Sequence, residues 1–156
     1  MSNTVYKSDQ IYSLSKKLGL TNTEVKKVLD LYFESLLRDL NSGNTVKFLN
    51  VCYLVCGKDK GSYHETLAYK CTEISKELKM GKNIVYGILS TFEDLLVLDL
   101  RRFYSYSIRG LVHISLEEYR EGIYKVRIRK SSSMFNEDIR VVSINSFKRK
   151  VEGFDR

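Results

Sequence analysis

Ser15-Lys16-Lys17-Leu18-Gly19-Leu20 and, sixty positions later, Ser75-Lys76-Glu77-Leu78-Lys79-Met80 are two versions of one segment. The likeness spreads outward from them without a gap. Val25, Leu29, Leu36, Asp39 and Leu40 fall on Val85, Leu89, Leu96, Asp99 and Leu100, while Val28, Tyr32 and Glu34 fall on the near equivalents Ile88, Phe92 and Asp94. The register runs on into a different kind of structure, where Phe48, Val51 and Leu54 meet Ile108, Leu111 and Ile114. Most matched positions are apolar, as they are when a shared core rather than a shared surface is kept. Roughly forty residues aligned without a gap favour an internal duplication over chance matching at helical spacing.

Each copy reads as helix, helix, β-hairpin. In the first, Ser8 is placed to cap a helix whose apolar residues Ile11, Leu14 and Leu18 recur every three or four positions, and Gly19 is placed to close it in a left-handed cap. Thr21 with Glu24 has capping-box spacing. They open a longer helix with an apolar stripe from Val25 through Val28, Leu29, Tyr32, Phe33, Leu36 and Leu37 to Leu40. Residues 46–49 and 51–55 then read as strands around a tight turn near Asn50. The second copy repeats this with helices over 67–79 and 82–102 and strands over 103–108 and 111–119 around Arg109-Gly110. It continues with strands over 123–130 and 140–144 and a short helix over 147–152, capped by Asn145 or Ser146.

The expected class is therefore α+β, with residues 1–60 a first copy lacking room for further strands and residues 61–156 a second, complete copy. About sixty residues make only a marginal core. The two copies are expected to cover each other around a pseudo-twofold, as a dimer fused into one chain.

The chain has 156 residues, 43% apolar and 29% charged, which suits one compact domain or two very small ones and argues against wholesale disorder. No apolar run approaches the ~18 residues a membrane span needs. Met1-Ser2-Asn3-Thr4 does not open a charged-then-apolar leader. Three cysteines, Cys52, Cys56 and Cys71, are too few and odd in number for a disulfide framework. A reducing intracellular setting without a membrane partner is expected. The formal charge is +7, and residues 120–156 hold ten basic side chains against five acidic ones. Such a surface attracts phosphate polymers or acidic proteins.

The strand over 123–130 concentrates that charge. Alternation puts Lys125, Arg127 and Arg129 on one face and Tyr124, Val126 and Ile128 on the other. Cations about 7 Å apart match the spacing of phosphates along one nucleic-acid strand. With Lys130 and Arg140 they form a candidate contact for nucleic acid or an acidic partner; a solvated strand face kept soluble by its charge is the plainer alternative. Lys16, Lys17, Lys26 and Lys27 cluster at the first helix junction, as phosphate contacts near a helix N-terminus or as ordinary exposed lysines. Tyr12, Tyr32 and Tyr86 occupy helical positions where core or boundary packing is expected, though tyrosine also anchors interfaces.

Cys52, Cys56, His64 and Cys71 are the residue types that bind zinc. On a strand, however, Cys52 and Cys56 lie about 13 Å apart, too far to meet one ion through bonds of about 2.3 Å. Buried, inert cysteines are expected, with no metal and no cofactor. There is no phosphate-cradling glycine loop or dinucleotide fingerprint. His64 and His113 lack a recognisable nucleophile or carboxylate context, so neither catalysis nor a small-molecule substrate is expected.

The run from Lys7-Ser8-Asp9-Gln10-Ile11 through Gly19-Leu20-Thr21 to Phe33-Glu34-Ser35-Leu36, followed by Gly43-Asn44-Thr45-Val46, resembles the N-terminal half of the HU/integration-host-factor family. The likeness covers about fifty residues of the first copy, and the second follows through its likeness to the first. It implies tandem HU-like repeats in a single-chain pseudodimer, the second with extra strands and a short C-terminal helix. In that family a helical body carries two β-ribbon arms that embrace DNA, with a proline at each arm tip that wedges between base pairs. This chain has no proline. Where the family's hairpin reads Gly-Phe-Gly, it has Asn50-Val51-Cys52 and Gly110-Leu111-Val112, and its first copy has no arm. Related domains resemble ring components in the tails of crAss-like phages, where the fold serves protein–protein assembly. The resemblance thus implies a structural virion component, in virion or host cytoplasm, whose partners are other virion proteins and copies of itself. DNA is the alternative partner.

Overall fold

Helix α1 (Lys7–Leu18) ends where Gly19 turns left-handed at φ 68°, and Leu20 N–H bonds back to Ser15 C=O at 3.1 Å. Helix α2 (Asn22–Asn41) starts in the expected capping box, with Thr21 N–H donating to the Glu24 carboxylate at 3.0 Å and Glu24 N–H donating to the Thr21 hydroxyl at 3.1 Å. Sixty residues on, α3 (Leu67–Leu78) and α4 (Lys82–Phe103) repeat this, and Lys79 adopts the left-handed cap of Gly19 at φ 56°. The cap of α1 falls earlier than Ser8: Tyr6 is the cap, and its N–H donates to the Asp9 carboxylate at 3.2 Å. The computed structural model describes residues 3–57, 66–120, 123–132 and 138–152. His64 lies outside them.

The hairpins repeat with the same offset. Strands β2 (Val46–Phe48) and β3 (Cys52–Cys56) pair Val46 with Leu54, and β4 (Tyr104–Ile108) and β5 (Val112–Arg120) pair Tyr106 with Ile114. Both turns place a non-glycine residue in the left-handed region, Leu49 at φ 47° and Arg109 at φ 35°. Each such position costs about 1–2 kcal/mol, and tertiary contacts hold both. Leu49 is buried and its N–H donates to the Tyr32 hydroxyl at 2.9 Å; the Arg109 guanidinium pairs with Asp30 on α2 and lies over the Phe33 ring, 5.2 Å from its centroid.

The third strand of one sheet crosses the boundary expected between the copies. Strand β6 (Ile123–Lys130) pairs antiparallel with β5, Val112 opposite Lys130 and Leu116 opposite Val126. Strand β7 (Ile139–Ser143) does not extend this sheet. It pairs antiparallel with β3 of the first copy, Cys52 opposite Ser143 and Cys56 opposite Ile139. The register is equivalent, because Ser131 N–H bonds Leu111 C=O as Ile144 N–H bonds Val51 C=O, at 2.8 and 3.0 Å. The first sheet is thus complete rather than truncated, and its last strand comes from the far end of the chain. The cause is the open edge of β3, whose backbone groups need partners beside the buried Cys52 and Leu54. Conversely β1 (Asn3–Val5), absent from the sequence reading, pairs parallel with β4. The sheet orders are β1-β4-β5-β6 and β2-β3-β7.

Helix α5 (Asn145–Glu152) packs against β6 and α4, so the segment that completes the first sheet also caps the second. Phe147 and Val151 are buried, and Glu152 accepts the Val126 N–H at 2.6 Å. The core is continuous across both copies. Phe33 meets Phe48 and Phe92 at ring-centroid distances of 5.7 and 5.9 Å, and Phe92 meets Tyr106 at 6.3 Å. Fully burying each such side chain is worth about 1.5–3 kcal/mol. The class is α+β, with five helices and two small sheets among the described residues, antiparallel except at β1. Phe147→Ala should cost about 3–5 kcal/mol in urea unfolding. It should also speed amide exchange in β6 and β7 alike; faster exchange in β7 alone would contradict a clasp that serves both sheets.

Candidate interaction site

Strand β6 alternates as expected. Lys125, Arg127 and Arg129 are exposed, Val126 is buried and Ile128 half-buried. The cations are not an uncompensated stripe. Glu117 stands opposite Lys125 and reaches diagonally to Arg127, with Nε–Oε1 at 3.2 Å and Nη2–Oε2 at 3.4 Å. Both side chains are about half exposed, so the pair adds at most about 1 kcal/mol to stability, yet it lowers the charge Arg127 offers a polyanion. Arg129 stands opposite His113, and Lys130 is half-buried at the end of the strand.

Arg140 does not join this group. It lies on β7, opposite Val55 and in the other sheet. The pairing registers make β6 and β7 counterparts, with Arg140 at the place in its sheet that Arg127 holds in the other. The five candidate residues are therefore split between two sheets rather than gathered into one ribbon.

Tyr32 is buried as expected, whereas Tyr12 and Tyr86 are 56% and 52% exposed. Their helical spacing places them on the outer faces of α1 and α4. Ile84 and Leu98 of α4 are exposed as well. Lys16 lies over the Tyr12 ring, 5.3 Å from its centroid, and Lys26 pairs with Asp30 at 2.8 Å. Cys52 and Cys71 are buried and Cys56 half-buried; burial pushes the Cys52 thiol up to about 12. Among the described residues, no three His, Cys, Asp or Glu side chains converge as a metal site, and no helix is long and apolar enough to cross a membrane.

A second cationic group, which the sequence reading missed, gathers around Asp30. Lys26 at 2.8 Å, Lys7 at 3.4 Å and the Arg109 guanidinium all meet this carboxylate. Burial alone would raise its pKa; the Lys26 hydrogen bond and the Arg109 charge more than offset that and hold it below the usual range. The signal was present in the duplication. Lys7, Lys26, Asp30 and Arg109 fall on Leu67, Tyr86, Ser90 and Leu49, so the copies differ in charge at all four places. No protein-family model, curated protein or solved structure matches this chain.

Partial burial and the facing Arg129 hold the His113 pKa below its ordinary 6.5. The unfolded chain thus takes up a proton near that pH more readily than the folded one. The stability this neutral imidazole contributes is present above pH 6.5 and is lost as pH falls below it. Urea midpoints at about pH 7.5 and 5.5 should differ less in His113→Asn and in Arg129→Ala than in the parent chain. An unchanged difference would assign the pH dependence to other groups.

Proposed function

We propose that this chain is a non-enzymatic assembly protein: a single-chain pseudodimer of tandem HU/IHF-like repeats, built through protein–protein contacts into a ring of a tailed-phage particle, at the tail or neck. It assembles in the host cytoplasm and ends in the virion, with copies of itself and other virion proteins as partners.

The observation that carries this reading is how unlike the copies are on the outside where they are alike within. At the start of α2 the surface offers Glu24 and Lys26; at the equivalent turn of α4 it offers Ile84 and Tyr86, 44% and 52% exposed. A closed ring needs heterologous joints, in which one patch of a subunit meets a different patch of the next. A protein whose two ends are alike in backbone and opposite in chemistry is suited to that. Exposed tyrosines, among them Tyr6 and Tyr12, are the side chains that anchor protein interfaces.

The DNA-binding alternative draws on the exposed Lys125 and Arg129 and on the net charge of +7. The Glu117–Arg127 pair and the placement of Arg140 on the other sheet speak against a continuous phosphate track. Light scattering should find oligomers of the 18.2 kDa chain, and Ile84→Ser with Tyr86→Ser should shift them toward monomer. Duplex DNA should bind weakly, with charge reversal at Arg127 and Arg129 leaving the oligomers intact. A monomeric chain that binds DNA at sub-micromolar strength near physiological salt, with steep salt dependence abolished by that reversal, would replace this reading with the DNA one.

A further inference from the structure

Tyr6, Lys7, Ile11, Lys26 and Arg109 surround a cavity of about 650 Å³ between the first two helices and the β4–β5 turn. Arg109 is one of its lining residues. Its side chain is only 10% exposed, and one terminal nitrogen pairs with Asp30. The other two, Nε and Nη2, are buried and have no hydrogen-bond partner. Unsatisfied buried donors of this kind are costly, on the order of 1–3 kcal/mol each, and they are uncommon in folded proteins. Around them Lys7 and Lys26 share the single carboxylate of Asp30, with Glu34 the next acidic group in electrostatic range of Arg109. The cavity therefore keeps an excess of positive charge.

The duplicated chain supplies its own control. At the sixty-residue counterpart, Leu49 stands for Arg109, Leu67 for Lys7 and Tyr86 for Lys26. The cavity there is about 110 Å³ and is lined by Leu49 and Leu67 together with Lys47 and Lys70. The fold is thus built at this corner without any of the three cations, and their presence on one side only is not a requirement of packing.

We propose that this cavity is a receptor for a carboxylate carried by an acidic side chain of a neighbouring protein. Nε and Nη2 form the edge of the guanidinium whose two parallel N–H groups match the two oxygens of a carboxylate. Both atoms are closed off from solvent in the chain alone, so a carboxylate meets them as the Arg109 side chain turns toward the cavity. Tyr6 and Ile11 give the apolar stem of that side chain a wall to lie against. A phosphate of duplex DNA fits less well, because it sits on the outside of a stiff rod and does not reach a guanidinium that is nine-tenths buried. The identity of the carrier as a protein rests on the assembly reading above; the chemistry of the cavity does not.

The test is a titration of the folded chain with acetyl-Leu-Asp-Leu-amide, following the Arg109 Nε–H resonance. A saturable shift with a dissociation constant in the millimolar range is expected, at least about tenfold weaker with the Asn isostere. Followed at the amide of Gly110, which lines the same cavity, Arg109→Lys should remove the response and Lys26→Gln should weaken it several-fold, so the second variant carries the test if the first fails to fold. An equal response to the Asn peptide, no saturation, or a stronger response to duplex DNA than to the Asp peptide would overturn the proposal. A monomeric chain that still binds the Asp peptide keeps the receptor and overturns only the ring.

Discussion

The backbone of β3 from Cys52 to Cys56 has two edges to satisfy, and only one neighbour, β2, is local. A strand buried at Cys52 and Leu54 cannot leave its other edge unpaired without losing several hydrogen bonds at once. The chain closes that edge with β7, more than eighty residues away, and the rest of the architecture follows. Bringing residues 139–143 to the first copy carries α5 across the second, where Phe147 and Val151 are buried and Glu152 caps Val126. Strand β1 makes the reverse journey, from the first copy's end of the chain to the second copy's sheet. Each copy is finished by a segment adjacent in sequence to the other, so neither folds to completion alone.

The hairpin turns lock the same dependence from within. The turn at Leu49-Asn50 presses on the second copy, where Asn50 N–H donates to the buried Glu93 carboxylate at 2.9 Å. The turn at Arg109-Gly110 presses on the first, at Asp30 and Phe33. Lys70, 3% exposed on α3, reaches Asp39 of α2 at 2.9 Å. Breaking such a buried pair by removing one partner typically costs about 3–5 kcal/mol. Polar contacts of this kind fix one arrangement of the halves, while the aromatic cluster around Phe33, Phe48 and Phe92 supplies apolar contact in less directional form.

The two copies differ most where they face solvent. Inside, Leu29 and Leu89 or Leu36 and Leu96 remain interchangeable because both face a close-packed core. Outside, no such constraint acts. One end gained charge around Asp30 and the other gained Ile84 and Tyr86. In the hairpin of β5 and β6, Glu117 compensates the central cation, Arg127. These divergences leave the two copies with unlike surfaces.

Much of the chain was legible residue by residue. The capping box at Thr21 and Glu24, the left-handed close at Gly19, the helix stripes, both hairpin turns and the alternation of β6 came from spacing alone, because each depends on residues within one or two turns of chain. Strand β1 escaped because three residues carry no periodicity, and Tyr12 and Tyr86 were misjudged because helical spacing fixes a face without saying what covers it. The basic cluster at Asp30 was hidden because Lys7, Lys26 and Arg109 come from elements up to about a hundred residues apart. Local sequence determined which elements form and that they form twice. Only the tertiary structure decided that β7 belongs to the first sheet, since strand pairing is settled by which distant edge remains open, and an edge carries no mark in the residues that will one day cover it.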